Sequence, residues 1–80
     1  MLKIVLLGHL AERAGWRERE MEVVGTLSAL IQALALVDPR LGHSLVAPGV
    51  RAAINHTISP NDTALKAGDE IAFLPIYSGG

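Results

Sequence analysis

One segment of the chain has the hydrophobic spacing of an amphipathic helix, and the segments on both sides of it have strand patterns. The helical stripe follows the spacing i, i+3, i+4, i+7 at Leu27, Leu30, Ile31 and Leu34. Thr26 is a suitable N-cap, and the helix should end before Pro39, because the residue before a proline avoids the α conformation. Asp38 can also cap a short second helix, with Leu41 and Leu45 facing inward.

Strand-forming segments are predicted at residues 2–7, 18–24, 50–54, 57–58 and 70–76. Residues 9–15 are predicted to form a loop or a short helical turn, and residues 59–69 a loop. Two strands before one main helix favour an α+β fold, in which that helix packs on one face of a mixed sheet of four to five strands. The first and last strands are the most apolar, so we expect them at the centre of the sheet. Residues 1–76 are predicted to form a single domain.

The composition excludes several classes of protein. Hydrophobic residues make up 50% of the 80 residues and charged residues 19%, which excludes intrinsic disorder. The net charge is −1, whereas a nucleic-acid-binding protein would normally have a basic excess. The absence of cysteine excludes a disulfide scaffold, cysteine-ligated zinc and a thiol nucleophile. The three histidines have no metal-binding spacing, so we expect no metal site.

The sequence also gives an expectation about location. No apolar run approaches the roughly 18 residues of a membrane span. The N-terminus enters a strand pattern at once, without the architecture of a signal peptide. We therefore expect no membrane association and a cytoplasmic location.

The sheet face opposite the main helix is predicted to be too apolar to remain in water. Val5 and Leu7 alternate with the residues of the first strand that are predicted to lie beneath the helix, and Leu74 does the same in the last strand. A monomer rarely exposes an apolar patch beyond about a few hundred Å². We therefore interpret these residues as a surface for a protein partner. The alternative is that residues 38–49 fold over this face.

The last four residues, Tyr77, Ser78, Gly79 and Gly80, are predicted to form a flexible tail. Glycine lacks a Cβ, so a Gly-Gly tail can pass through a channel too narrow for other residues and leaves the terminal carboxylate sterically free. The extended tail reaches at most about 14 Å, which is enough to enter a pocket of another protein. The main-chain carboxylate of Gly80 is therefore a candidate reactive group. The alternative is a frayed end without chemistry.

Three segments carry a resemblance to a known family. They are residues 50–55 (Val-Arg-Ala-Ala-Ile-Asn), residues 65–75 (Leu-Lys-Ala-Gly-Asp-Glu-Ile-Ala-Phe-Leu-Pro) and the terminal Ser78-Gly79-Gly80. Together they resemble the MoaD family, the small subunits of molybdopterin synthase, which are ubiquitin-like sulfur carriers. The resemblance extends along the whole chain and implies the β-grasp fold.

The resemblance implies a non-catalytic carrier that binds no cofactor itself. A partner adenylating enzyme would use ATP to convert Gly80 to an acyl-adenylate, and sulfur delivery would then give a thiocarboxylate. Ser78 and Gly79 would thread into the large subunit of molybdopterin synthase, within a heterotetramer. There the thiocarboxylate would donate its sulfur to the pyranopterin precursor of molybdopterin.

The segment before the two glycines is implied to dock on the partner. Together with the outer strand residues, the implied interface consists of Val5, Leu7, Leu74, Pro75, Ile76 and Tyr77. The family commonly has two prolines and a small aliphatic residue here, whereas Pro75 is followed by Ile76 and Tyr77. A related sulfur carrier for thiamin synthesis or tRNA thiolation and a ubiquitin-like protein modifier are therefore alternatives. A plain interaction domain, whose tail has no chemistry, is a third.

Overall fold

The structure, a computed structural model, describes residues 1–76 of the 80-residue chain. Within these residues the chain forms five strands and three helices. The strands are β1 (Leu2–Leu6), β2 (Glu18–Met21), β3 (Val50–Ile54), β4 (Thr57–Ile58) and β5 (Glu70–Pro75). The helices are α1 (His9–Ala14), α2 (Leu27–Val37) and α3 (Pro39–Leu45). The predicted flexible tail, residues 77–80, lies outside the described residues.

The strands form one mixed sheet in the order β2-β1-β5-β3-β4. β1 pairs with β5 in parallel, and the other neighbouring strands are antiparallel. The register places Ile4 opposite Ile71 and Leu6 opposite Phe73. This arrangement confirms the predicted α+β class and mixed sheet. It also confirms that the first and last strands, the two most apolar segments, lie at the centre.

The hydrophobic core lies between the sheet and the three helices. Its strand residues alternate along the chain and are buried at Leu2, Ile4, Leu6, Ile71 and Phe73. The helical stripe predicted from the sequence belongs to the same cluster, and all four of its residues are buried. A fully buried aliphatic side chain contributes about 1.5–3 kcal/mol relative to an exposed one. The pairing register of the strands is therefore strongly fixed, because a slip of one residue would move these side chains from the core to the solvent-exposed face.

Two side chains begin the main helix and the helix that follows it. Thr26 Oγ1 accepts a hydrogen bond from the Ala29 N–H at 3.1 Å, and Asp38 Oδ1 accepts one from the Leu41 N–H at 3.1 Å. Pro39 occupies the first turn of α3, where its missing N–H costs nothing. Both caps and the short second helix are confirmed.

α3 packs on the same side of the sheet as α2. Its buried residues Leu41 and Leu45 belong to the cluster that contains the inner residues of β1 and β5. Gly42 approaches α2 so closely that an added Cβ would overlap the side chain of Ala35 and lie 2.8 Å from its Cα. The alternative prediction, in which residues 38–49 cover the opposite face, is wrong because Asp38 starts a helix that packs against α2.

Two elements differ in detail from the expectation. Residues 9–14 form a helix, α1, which is anchored by the buried side chain of Leu10. β2 ends at Met21 rather than at residue 24, and Val23 is 43% exposed. Met21 pairs with Leu2, the first residue of β1, so the neighbouring strand offers no partner beyond this point. β2 is an edge strand, and its charged side chains suit that position.

A polar network joins the β3–β4 hairpin to the start of β5. Asn55 and His56 form the hairpin turn with φ of 51° and 73°. The Asn55 amide donates to Asp69 Oδ1 at 2.8 Å and accepts from the Glu70 N–H at 3.0 Å. The Lys66 N–H donates to Asp69 Oδ2 at 2.9 Å. The hydrogen bonds from Lys66 and Asn55 hold the pKa of the buried Asp69 carboxyl below its ordinary value.

Candidate functional site

The last described residues lie at the end of the sheet where the C-terminus of β1 is also found. Because β1 and β5 are parallel, their C-terminal ends lie side by side. The Ile76 N–H donates to the Gly49 carbonyl at 2.7 Å, one residue beyond the end of β5. We call Pro75 and Ile76 the tail root. The predicted site residues that follow it lie outside the described residues: Tyr77, Ser78, Gly79 and Gly80.

Gly8 determines how closely the β1–α1 connection approaches the tail root. It has φ 58° and ψ −143°, a backbone conformation that residues with a Cβ rarely adopt. A Cβ at this position would lie 3.0 Å from Pro75 Cγ. On the preceding residue, the Leu7 N–H donates to the Phe73 carbonyl at 3.0 Å. The tail root is therefore held from two sides, by the β1–α1 connection and by Gly49.

Gly8 and Gly49 are site residues that sequence reasoning missed. The sequence pattern marks Gly8 only as the residue after the first predicted strand, and Gly49 only as part of a Pro-Gly turn before the third. A signal existed for Gly49, since the Pro48-Gly49 turn immediately precedes β3. Once β3 is paired antiparallel with β5, this turn must lie opposite the residue that follows β5.

The outer face of the sheet, which points away from the helices, carries a row of apolar side chains. The register aligns Val5, Ala72, Ala53 and Ile58 across four strands. Leu74 lies nearer the tail root, where Leu7 is 36% exposed and Ile76 is 50% exposed. The buried leucine and isoleucine side chains of all three described helices belong to the core cluster on the inner face. None of these helices therefore covers the row.

The structure brings the predicted interface residues within residues 1–76 to one region. On the outer face or at its edge lie Val5, Leu7, Leu74 and Ile76. Pro75 differs from them, because it is half-buried on the helix side, where Gly8 approaches it. An apolar surface and the last described residues are therefore adjacent. Partner binding by these residues stays a prediction.

Charged side chains lie at the other end of the outer face, at Lys3 and Glu70, and on the edge strand β2, where Glu18 pairs with Val5. Lys3 Nζ lies 3.7 Å from a carboxylate oxygen of Glu18 and 3.9 Å from one of Glu70. Ion pairs this exposed contribute little to stability. Near the tail root, Arg51 of β3 lies opposite Leu74 of β5. The apolar row thus lies between the Lys3–Glu70 pair and the tail root, and Glu18 flanks it on β2.

The described residues give little support for chemistry by side chains. Within residues 1–76, no three residues of metal-binding type lie close enough to hold a metal ion. Asp69 and Glu70 are adjacent, but the Asp69 carboxylate is buried in the hydrogen-bond network described above and its lowered pKa keeps it ionised. In this part of the chain, no helix has the length and apolar character needed to cross a membrane.

The fold and its surface define a β-grasp, ubiquitin-like domain with an apolar sheet face beside Pro75 and Ile76, the last described residues. The chain belongs to the ThiS family, whose family model matches residues 4–80. It is 32% identical to the molybdopterin synthase sulfur carrier subunits of Escherichia coli and Haemophilus influenzae, with 100% of each chain covered. The crystal structure of SAMP1 from Haloferax volcanii matches with a TM-score of 0.81 and 26% identity, covering 99% of this chain and 98% of that chain. The β-grasp fold and the resemblance to the MoaD family are thereby confirmed.

Proposed function

We propose that this chain is the sulfur-carrier subunit of molybdopterin synthase and that its working group is the terminal carboxyl of Gly80. The observation that carries the proposal is the apolar row of the outer face, which lies close to the tail root at the C-terminal end of β5. The full-length similarity to two proteins named molybdopterin synthase sulfur carrier subunits supports it.

The proposed cycle uses only the main-chain carboxyl of this chain. A carboxylate oxygen of Gly80 attacks the α-phosphate of ATP on a partner enzyme and displaces pyrophosphate. A donor supplies sulfur at the oxidation level of sulfide, which attacks the acyl carbon, releases AMP and leaves a thiocarboxylate. The thiocarboxylate sulfur attacks a carbon of the pyranopterin precursor and displaces an oxygen substituent from it, which gives a thioester between the two molecules. Water then attacks the acyl carbon, breaks the acyl carbon–sulfur bond and restores the carboxylate, so the sulfur stays on the precursor as a thiolate. Two such transfers supply the two sulfurs of the dithiolene.

In this proposal the chain positions the reactive carboxyl group, and the partner proteins provide the catalytic groups. The outer face docks on the large subunit by burying apolar surface, at about 25 cal/mol per Å² before the cost of association. The contacts of Gly8 and Gly49 with the tail root fix the point from which the tail enters the partner's pocket. The catalytic side chains and the ATP belong to the partner proteins. The assembly is a cytoplasmic heterotetramer of two small and two large subunits.

Intact-mass spectrometry tests the carrier role. After incubation with the adenylating enzyme, ATP and a sulfide-level sulfur donor, the chain should gain the mass difference between one sulfur atom and one oxygen atom. A variant lacking Gly80 is the control and should keep its mass. On addition of the large subunit and the precursor, molybdopterin should form and the chain should return to its original mass. A wild-type chain whose mass never changes would overturn the carrier role.

A second candidate function is covalent protein modification. One comparison favours it, because SAMP1 of Haloferax volcanii, whose structure resembles that of this chain, is named a small archaeal modifier protein. In that case the activated Gly80 carbonyl would form an isopeptide bond with a lysine of another protein. Adducts linked through Gly80 in cell extract, absent for the variant that lacks Gly80, would support this function over sulfur transfer.

A further inference from the structure

A cleft lined by basic side chains opens on the helix side of the tail root. His9 and Arg13 of α1 line it, His43 and Ser44 of α3 lie opposite, and Pro75 borders it at the tail root. Residues 47–50 form the remaining wall, and the cavity volume is about 240 Å³. We call it the basic cleft.

A second arginine lies beside the basic cleft, on α3. Arg40 lines a neighbouring depression that shares Arg13 and His43 with the basic cleft. His9 and Arg13 are four residues apart on α1, and Arg40 and His43 are three apart on α3. At these spacings each helix presents its two basic residues on one face. Two helices therefore direct four basic side chains to one region beside the tail root.

None of these four side chains forms an ion pair within residues 1–76. The ion pairs in this part of the chain use other basic residues, namely Lys3, His56 and Lys66. The side chains of His9, Arg13, Arg40 and His43 are exposed. Arginine stays protonated at any physiological pH, so the two arginines are charges that the described part of the chain does not neutralise.

The basic cleft must be covered whenever a partner takes the tail. Pro75 borders the cleft, and Ile76, the next residue, carries the tail. A stable protein interface buries about 800 Å² on each partner, far more than four residues provide. A partner that encloses the tail therefore also covers the surface around the tail root. Arginines that lose water in this way are destabilising unless opposite charges or hydrogen bonds compensate them.

We propose that the basic cleft receives a carboxylate-bearing segment of the protein whose pocket takes the tail. This inference rests on the proposed function. An aspartate or glutamate of the partner pairs with Arg13, which lines both the basic cleft and the depression that holds Arg40, and a small apolar side chain beside it packs on Val50 and Pro75. The apolar outer face supplies affinity with little directionality. The charges on the helix side fix the orientation of the partner around the tail.

The test measures the dissociation constant for the large subunit of molybdopterin synthase from the same organism, at about 0.05 M and about 0.3 M salt. Arg13→Gln and Arg40→Gln each remove one positive charge from an exposed side chain. Lys66→Gln is the matched control, because it removes the same charge near the start of β5, at the other end of the sheet. Thermal unfolding of each variant verifies that it folds.

We expect each arginine variant to raise the Kd about fivefold at low salt and the double variant about twentyfold. Lys66→Gln should leave the Kd unchanged, and the arginine effects should shrink at high salt. An unchanged Kd in both arginine variants would overturn this inference and leave the proposed function standing. A lowered Kd would overturn it in favour of the chain's own terminal carboxylate as the occupant. A wild-type chain that does not bind would overturn the proposed function and this inference together.

Discussion

Asp69 is a buried carboxylate that its neighbours keep ionised. The Lys66 N–H and the Asn55 amide both donate to it and lower its pKa below the ordinary value of 3.8. The pKa is therefore lower in the folded chain than in the unfolded chain. Such a group stabilises the fold above its unfolded pKa, and this stabilisation is lost as the pH falls through the lowered folded value.

We predict that Asp69→Asn lowers the free energy of unfolding at neutral pH and weakens its decrease on acidification. The asparagine amide cannot accept hydrogen bonds on both of its terminal atoms, so one donor among Asn55 and Lys66 loses its partner. Urea titrations from neutral to acid pH measure both effects. Asp62→Asn, in an exposed loop, is the control and should change neither. A wild-type pH profile in Asp69→Asn would contradict this interpretation.

Sequence reasoning predicted the residues of the outer face but not the contacts that hold the tail root. Alternation along a strand shows which residues share a face, and this placed Val5 and Leu74 together. The contacts of Gly8 and Gly49 depend on which strands are neighbours. Gly49 meets Ile76 because β3 pairs with β5 in the observed register. No pattern within a few residues of Gly49 contains that information.

At the scale of elements, the helices were predictable where their signals are local. The stripe of α2 and the caps Thr26 and Asp38 each depend on residues three or four positions apart. The end of β2 was not predictable, because it depends on where β1 begins. The close approach of Gly42 to Ala35 was also hidden, because it arises only when α3 packs on α2.

We predict that Gly42→Ala destabilises the protein by about 1–3 kcal/mol, the usual cost of overpacking. The added methyl group would overlap Ala35, and α3 would have to move away from α2. Urea denaturation gives the change in free energy. Gly25→Ala is the matched control, because no atom lies within 4 Å of its added Cβ.

A second substitution separates overpacking from other effects of Gly42→Ala. Combining it with Ala35→Gly removes the methyl group that causes the overlap and should recover part of the lost stability. Replacing a glycine in an unconstrained helix by alanine would instead stabilise it by about 1 kcal/mol. A stabilised Gly42→Ala variant would therefore contradict the close helix contact.

At the scale of the whole molecule, the two sides of the sheet differ in what they can bind. The inner face is filled by the helices, and the outer face keeps an apolar row beside the tail root. We predict that Leu74→Asp raises the Kd for the molybdopterin synthase large subunit by about tenfold or more, equivalent to about 1.4 kcal/mol for each factor of ten. The fold should persist, because Arg51 lies opposite the new carboxylate.

The matched control for the outer face is Leu36→Asp. Leu36 is 86% exposed on α2, on the other side of the sheet, and receives the same change of size and charge. The Leu36→Asp variant and the wild type should have the same Kd for the large subunit when both are measured by titration calorimetry. Equal weakening by the two substitutions would show that a general loss of solubility or charge balance, rather than docking of the outer face, explains the effect.

The position of β5 at the centre of the sheet has a consequence for how the chain acquires its structure during synthesis. Until residues 70–75 have left the ribosome, β1–β2 and β3–β4 are two separate strand pairs with no ladder between them. Contacts between the two ends of a chain form late, because a long loop must close first. The domain therefore becomes complete only when its last strand is available, and residues 76–80 follow directly behind that strand.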